Sequence, residues 1–206
     1  RAILMEAYCN YLQRHYDETV ATAQRYLDVY SATPQAAYAA YLIGLGHFAK
    51  IANLANDQKE AQQTVEAMQK LIKDYPHSQY VEDAQVKIRL AREQLAAKEM
   101  QVGRFYQFRH KYLAALKRYR EVVKDYAGTN QIEEALFRLV EVDYALGVME
   151  EARTTAWMLA ILYPKGYWYA HAYALLQNDN LQPALVPQMQ QPKTVMARQP
   201  VYGRIY

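Results

Sequence analysis

The sequence predicts an all-α chain of antiparallel helix hairpins stacked side by side into a solenoid, and three observations carry that reading. The first is periodicity: between Lys111 and Leu139, apolar Leu116, Tyr119, Val123 and Tyr126 fall three, four and three residues apart, the spacing that lines one face of an α-helix. The second is a regular break. Ala127-Gly128-Thr129-Asn130 ends that helix, since glycine tolerates the positive φ of a helix terminus; Thr129 or Asn130 is then expected to cap the next helix, with Glu133 and Glu134 at the positive end of its dipole. The third is recurrence. Tyr30, Tyr75, Tyr126 and Tyr163 each end a helical run; nine residues on stand Ala39, Ala84, Ala135 and Ala172, and thirteen on stand Ile43, Ile88, Leu139 and Leu176.

Self-similarity at fixed offsets is the mark of a repeat array, in which each hairpin buries a seam against the next. Small alanines let two helices approach closely, and a tyrosine ring fills the space between neighbouring hairpins. That is the grammar of a tetratricopeptide-repeat solenoid, so Tyr75, Tyr126, Tyr163, Ala84 and Ala135 are all expected to be buried. The array covers residues 1–178, and a proline- and glutamine-rich extended tail covers 179–206.

Taken in order, Ala2 to about Gln13 and Tyr16 to Tyr30 form the first hairpin, and Pro34 sits in the connection, where a missing N–H does least harm. Gln35 to about Asn53 is the third helix; Gly44 and Gly46 inside it cost about 1 kcal/mol each against alanine and are expected to mark close helix contact. A short loop from Asn53 to Gln58 precedes a helix from Lys59 to Tyr75, with Val65, Met68, Leu71 and Ile72 turned inward. From Ser78 to about Phe108 the helical pattern is broken by no proline, which corresponds to roughly 45 Å at ~1.5 Å per residue. So long a helix can close one hairpin and open the next. Helices from Lys111 to Tyr126, Gln131 to Leu146, Glu150 to Tyr163 and Tyr167 to about Leu176 follow, with Gly147 marking a turn. The tail holds four of the seven prolines; its polar composition cannot build a core, and it is expected to lie along the solenoid or across another subunit, anchored by Val201, Tyr202 and Tyr206.

Composition narrows the function. Twenty tyrosines against four phenylalanines suit rings packed between helices with hydroxyls in water. A net charge of +3 makes no case for nucleic acid. The single cysteine, Cys9, excludes an internal disulfide and a multi-cysteine metal site, and in its apolar setting reads as a small core residue. His15, His47, His77, His110 and His171 are scattered without the pairing a zinc site needs, and no phosphate loop or nucleophile elbow appears. Neither an enzyme nor a cofactor is expected. Charge is uneven locally: seven bases (Arg104, Arg109, Lys111, Lys117, Arg118, Arg120, Lys124) stand against Glu121 between Arg104 and Lys124, and six acids (Glu133, Glu134, Glu141, Asp143, Glu150, Glu151) stand against Arg138 between Ile132 and Glu151. Two readings fit, neighbouring helices that neutralise one another and a docking site for an acidic partner.

The segments YDETVATAQRYLDVY, TPQAAYAAYLIGLGHF, KLIKDYPHSQYVEDAQVKIRLAREQLAAKEMQVGRFY, YLAALKRYREVVKDYAGTNQIEEALFRLVEVDYALG and WYAHAYALL, with EMQVGRFY the most particular, resemble the BamD family of repeat lipoproteins from the bacterial outer-membrane β-barrel assembly machinery. The resemblance implies a non-catalytic scaffold at the periplasmic face of the outer membrane that binds the POTRA domains of BamA and other subunits and helps receive unfolded outer-membrane proteins. It also implies a signal peptide and a lipid anchor. Cys9 does not match the lipidated cysteine, because Glu6-Ala7-Tyr8 is not a lipobox; the anchor and a first repeat are expected upstream of Arg1. By the same resemblance Arg118 is the arginine presented to an acidic POTRA residue, with Arg109, Lys111, Lys117, Arg120 and Lys124 around it. The alternative is another periplasmic repeat adaptor, of cell-division or pilus-assembly type.

Overall fold

Nine helices follow one another among the described residues, 1–51 and 58–177 of the computed structural model: α1 (Ala2–Leu12), α2 (Tyr16–Tyr30), α3 (Ala36–Ile51), α4 (Gln58–Asp74), α5 (Val81–Phe108), α6 (Tyr112–Asp125), α7 (Ile132–Ala145), α8 (Met149–Leu162) and α9 (Tyr167–Gln177). No strand occurs among those residues. Each helix packs on its successor, and α1 also touches α3, α3 touches α5, and α7 touches α9. The first helices of the hairpins therefore line one side of the stack, and α2, α4, α6 and α8 stand on the other. The 28-residue α5 packs on both α4 and α6, as its length predicts. None of the described helices is long and apolar enough to cross a membrane.

Three hairpin turns share one backbone device. Arg14 (φ 64°), His110 (φ 56°) and Gly147 (φ 77°) occupy the left-handed region just after α1, α5 and α7. In each turn the left-handed residue donates its N–H to the carbonyl three back (Tyr11, Gln107, Tyr144), and the next residue donates to the carbonyl five back (Asn10, Tyr106, Asp143). These are the two bonds of a Schellman motif, which satisfy carbonyls that a helix end would leave open. Sequence reading finds only Gly147. Arginine and histidine carry a cost of roughly 1–2 kcal/mol in this conformation and advertise nothing.

The recurring tyrosines are the residues on which α4, α6 and α8 end. The N–H groups of Tyr75, Tyr126 and Tyr163 bond to Leu71, Val122 and Leu159, and their carbonyls accept from Ser78, Thr129 and Gly166 as the chain turns into the next hairpin. They are half-buried, not buried as expected, because a cap residue sits at the rim of the seam with its hydroxyl outward; that of Tyr75 donates to the Ser31 carbonyl at 3.0 Å. Tyr30 is exposed. The alanine positions hold: Ala39, Ala84, Ala135 and Ala172 are fully buried.

Four expectations are corrected. The buried stripe of α6 is Ala115, Tyr119 and Val122, and Leu116, Val123 and Tyr126 only flank it, because small Ala115 lets α6 settle deepest on that line. Thr129 and Asn130 do not cap α7, whose cap position is Gln131 without a side-chain bond; the Thr129 hydroxyl donates back to the Tyr126 carbonyl, and the Asn130 N–H donates to Glu93 of α5. Cys9 is exposed, since Leu4 and Ala7 form the buried face of α1. In α4, Met68 and Leu71 are buried, while Val65 and Ile72 are half-buried at the edges of the same face. The loop anticipated from Asn53 onward and the tail anchors Val201, Tyr202 and Tyr206 lie outside the described residues.

Candidate functional site

The basic stretch becomes the last turn of α5, the His110 turn and the length of α6. Opposite it, most of the acidic stretch is engaged inside the molecule. Glu134 accepts two bonds from Arg104 of α5, at 3.0 and 3.1 Å, and one from Arg138 at 3.2 Å. Glu141 accepts from Arg138 at 2.8 Å and from Gln107 at 3.1 Å. Glu133 accepts from the Trp168 N–H at the start of α9, and Glu150 pairs with Arg153. Asp143 is buried; burial pushes its carboxyl above the usual range, and the charge of Arg120 offsets part of that. Arg104 thus neutralises α7, as one of the two sequence readings has it.

The remaining bases do not follow. Lys111, Lys117 and Lys124 are exposed and pair with no described acid, and Arg109 lies 4.9 Å over the Phe105 ring. On α6, Leu113, Lys117, Arg120 and Lys124 are spaced four, three and four apart, so they form one outward stripe. Phe108, 80% exposed, and Leu113, 72% exposed, place apolar surface beside those charges. The arrangement offers an acidic partner an apolar anchor with a cationic border, the usual anatomy of a binding patch.

Arg118 is held differently. Its Nη1 donates to Glu99 of α5 at 2.9 Å and lies 3.7 Å from Glu121, leaving the side chain 36% exposed. The Glu99 hydrogen bond raises the guanidinium pKa, outweighing partial burial, so the charge is secure. Glu99 itself is buried, and its other oxygen accepts from Gln58 at the start of α4 at 2.9 Å. A buried carboxylate with both oxygens bonded is far less costly than an orphaned one. One face of the Arg118 fork is therefore fixed from below, and the rest is free to meet a second carboxylate. Sequence reading missed Glu99 and Gln58. The signal was present for Glu99, which falls three and four residues after Ala96 and Leu95 on the buried face of α5.

A second feature lies at the other end of the stack. A groove between α2, α3 and α4 is lined by Leu27, Ile43, His47, Glu66, Lys70 and Tyr75, mixing apolar walls with both signs of charge.

Residues 1–158 match the profile of the YfiO family, described as outer membrane lipoprotein. The outer membrane protein assembly factor BamD of Caulobacter vibrioides is 37% identical over 187 residues, which is 91% of this chain and 61% of that protein. That of Rickettsia prowazekii is 35% identical over 178 residues, 86% of this chain and 71% of the relative. The chain thus spans about three fifths of the Caulobacter protein and seven tenths of the Rickettsia one. A protein of the same description from Neisseria meningitidis is 28% identical over 177 residues, 81% of this chain and 66% of that one. The helices, their repeat and these matches agree: the chain belongs to the YfiO family of outer membrane lipoproteins, the family of the BamD assembly factors.

Proposed function

We propose that the chain is a non-catalytic scaffold subunit of the outer-membrane β-barrel assembly machinery, working at the periplasmic face of the membrane and docking on the POTRA domains of BamA through the α5–α6 hairpin. The observation that carries this reading is the imbalance on the hairpin: the acids of α7 are engaged with Arg104, Arg138, Arg120 and backbone groups, while Lys111, Lys117 and Lys124 remain outward beside Phe108 and Leu113. Uncompensated charge concentrated on one face repels itself and favours an acidic partner. The family description as outer membrane lipoprotein and the relatives' name of assembly factor support the setting. The groove between α2 and α4, with apolar walls beside charges of both signs, suits a segment of an unfolded outer-membrane protein.

Affinity for BamA POTRA domains at two salt concentrations tests the docking. Lys117→Glu with Lys124→Glu is expected to slow association and to flatten its salt dependence, since rim charges act mainly on encounter. Arg118→Lys keeps a charge for Glu99 but loses the planar fork, and is expected to weaken binding about tenfold while the melting temperature holds. Binding unchanged by all three substitutions places the docking surface elsewhere.

A further inference from the structure

The helices α2, α4, α6 and α8 each lead into a repeat tyrosine, Tyr30, Tyr75, Tyr126 and Tyr163, so their last two turns align residue by residue. The two residues just before the tyrosine are Asp28-Val29, Lys73-Asp74 and Lys124-Asp125 in the first three, but Ile161-Leu162 in α8. One turn earlier stand Gln24-Arg25, Gln69-Lys70 and Arg120-Glu121, but Trp157-Met158 in α8. In α2, α4 and α6 these positions are exposed, apart from half-buried Glu121, although a further hairpin follows each of them in the stack. The same positions of α8 therefore lie outside the seam, and their apolar character is not that of a seam left open where the stack ends. Trp157 and Met158 are followed four residues on by Ile161 and Leu162, 55% and 56% exposed, on one helical face opposite buried Ala152, Ala156 and Leu159. A contiguous apolar patch where the repeat elsewhere carries charge marks a contact surface.

We propose that this face of α8 and the turn after it rest on a phospholipid surface that carries anionic headgroups. The chemistry of the turn selects that occupant. Exposed Pro164, Lys165 and Tyr167 carry the patch on from Leu162 into the start of α9. Lys165 can lay its aliphatic stem along apolar surface while its ammonium reaches a phosphate, and Trp157 and Tyr167 are amphipathic rings of the kind that settle at headgroup depth. Charge is one-sided as well. No acid occurs from Ala152 to Gln177, where the bases are Arg153, Lys165 and His171. Arg153 is engaged with Glu150, which leaves Lys165 as the charge beside the patch. The acids of α8, Glu150 and Glu151, stand at its opposite end, ~15 Å along the helix from Ile161, and Glu133 of α7 is held by the Trp168 N–H. The apolar tip and its positive charge thus lead, with the acids behind. No described helix is long and apolar enough to cross a membrane, so the contact is with its surface. Outer membrane association, which the family shares, brings such a surface within reach. A patch of this kind binds weakly and reversibly by itself, and its effect is to orient the end of the stack against the membrane.

Vesicles of phosphatidylethanolamine and phosphatidylglycerol at millimolar lipid, mixed with the full chain, test the contact. Trp157 emission is expected to shift to the blue and to be quenched by lipids brominated on their acyl chains. Trp157→Phe is expected to remove that response, because Trp168 is stacked on Phe137. Ile161→Lys with Leu162→Asp installs the pair that α4 and α6 carry at this point, and is expected to lower vesicle affinity in co-sedimentation about tenfold while circular dichroism holds. Lys165→Glu, in an exposed turn, is expected to weaken binding to the anionic vesicles several-fold and to leave binding to pure phosphatidylcholine unchanged; it decides the matter even where the double variant loses helicity. A parent chain without the response, or variants that bind anionic vesicles as tightly as the parent, overturn the proposal. A blue shift that appears without lipid as protein concentration rises assigns the face to a second copy. Loss of POTRA affinity in the double variant with vesicle binding unchanged assigns it to a protein partner; either overturns the proposal too. The vesicles contain no BamA, so their outcomes stand apart from whether the α5–α6 hairpin docks there.

Discussion

The α3–α4 and α5–α6 hairpins solve the same two problems with different side chains. In each, a glycine in the first helix admits a large residue from the second: a Cβ on Gly44 would meet the Met68 thioether, and one on Gly103 would meet the Tyr119 ring. In each, a buried glutamate is tied to a base. Glu60 accepts from Lys50 at 2.7 Å and lies 2.8 Å from His47 Nδ1, with Lys50 also reaching Asp17 of α2 at 2.7 Å; Glu99 accepts from Arg118 and Gln58. The difference is stiffness. Met68 ends in a flexible thioether and Lys50 in a single ammonium shared between Glu60 and Asp17, whereas Tyr119 is fully buried with its hydroxyl bonded to Gln107 at 2.8 Å and Arg118 presents a planar fork. The N-terminal hairpin can adjust around its groove. The C-terminal one is built as a fixed platform for its basic stripe.

Substitution of the two glycines separates them most clearly. Gly103→Ala drives a methyl into a ring that has nowhere to go, and is expected to destabilise by about 2–3 kcal/mol, the upper part of the overpacking range, in a urea titration. A midpoint equal to the parent would show that the Tyr119 seat is as pliable as the methionine one. Arg118→Ala comes next. It orphans buried Glu99 and is expected to cost about 2 kcal/mol, below the usual figure for a buried pair because the guanidinium is partly solvated. Adding Glu99→Gln should recover much of that loss, and a double variant no better than the single would remove Glu99 from the account.

Glu60→Gln probes the N-terminal network at a smaller scale, about 1 kcal/mol at neutral pH, because Lys50 keeps Asp17 as a partner. Burial pushes the Glu60 carboxyl up, but the hydrogen bonds from Lys50 and His47 outweigh it and hold the pKa below the ordinary value. A depressed folded-state pKa contributes stability that is present above the ordinary glutamate pKa and is lost as pH falls through the folded one. The parent should therefore lose melting temperature on acidification more steeply than Glu60→Gln, and parallel curves would count against the network. Gly44→Ala is the smallest change, within about 1 kcal/mol of neutral, since the thioether swings aside and alanine gains helix propensity. A loss matching that of Gly103→Ala would erase the contrast between the hairpins.

Much of this architecture was legible in the chain because it repeats. The positions of Ala39, Ala84, Ala135 and Ala172 follow from sequence offsets alone, since only a small residue fits where two helices touch, and the helix limits follow from the tyrosines, Pro34 and Gly147. The basic character of the α5–α6 hairpin was equally plain. Which of its bases remain outward was not: Arg104 is claimed by Glu134, thirty residues away, and Arg118 by Glu99, nineteen away. Pairings at that range depend on how one helix is rotated against another, and a shift of one residue along α6, from Leu116 to Ala115, turns its face by about 100°. The same holds for Arg14 and His110, whose left-handed turns are imposed by the packing of the helices they join. Periodic small and aromatic residues determined the repeat; rotation and register, settled only when the helices pack, decided which charges the repeat presents.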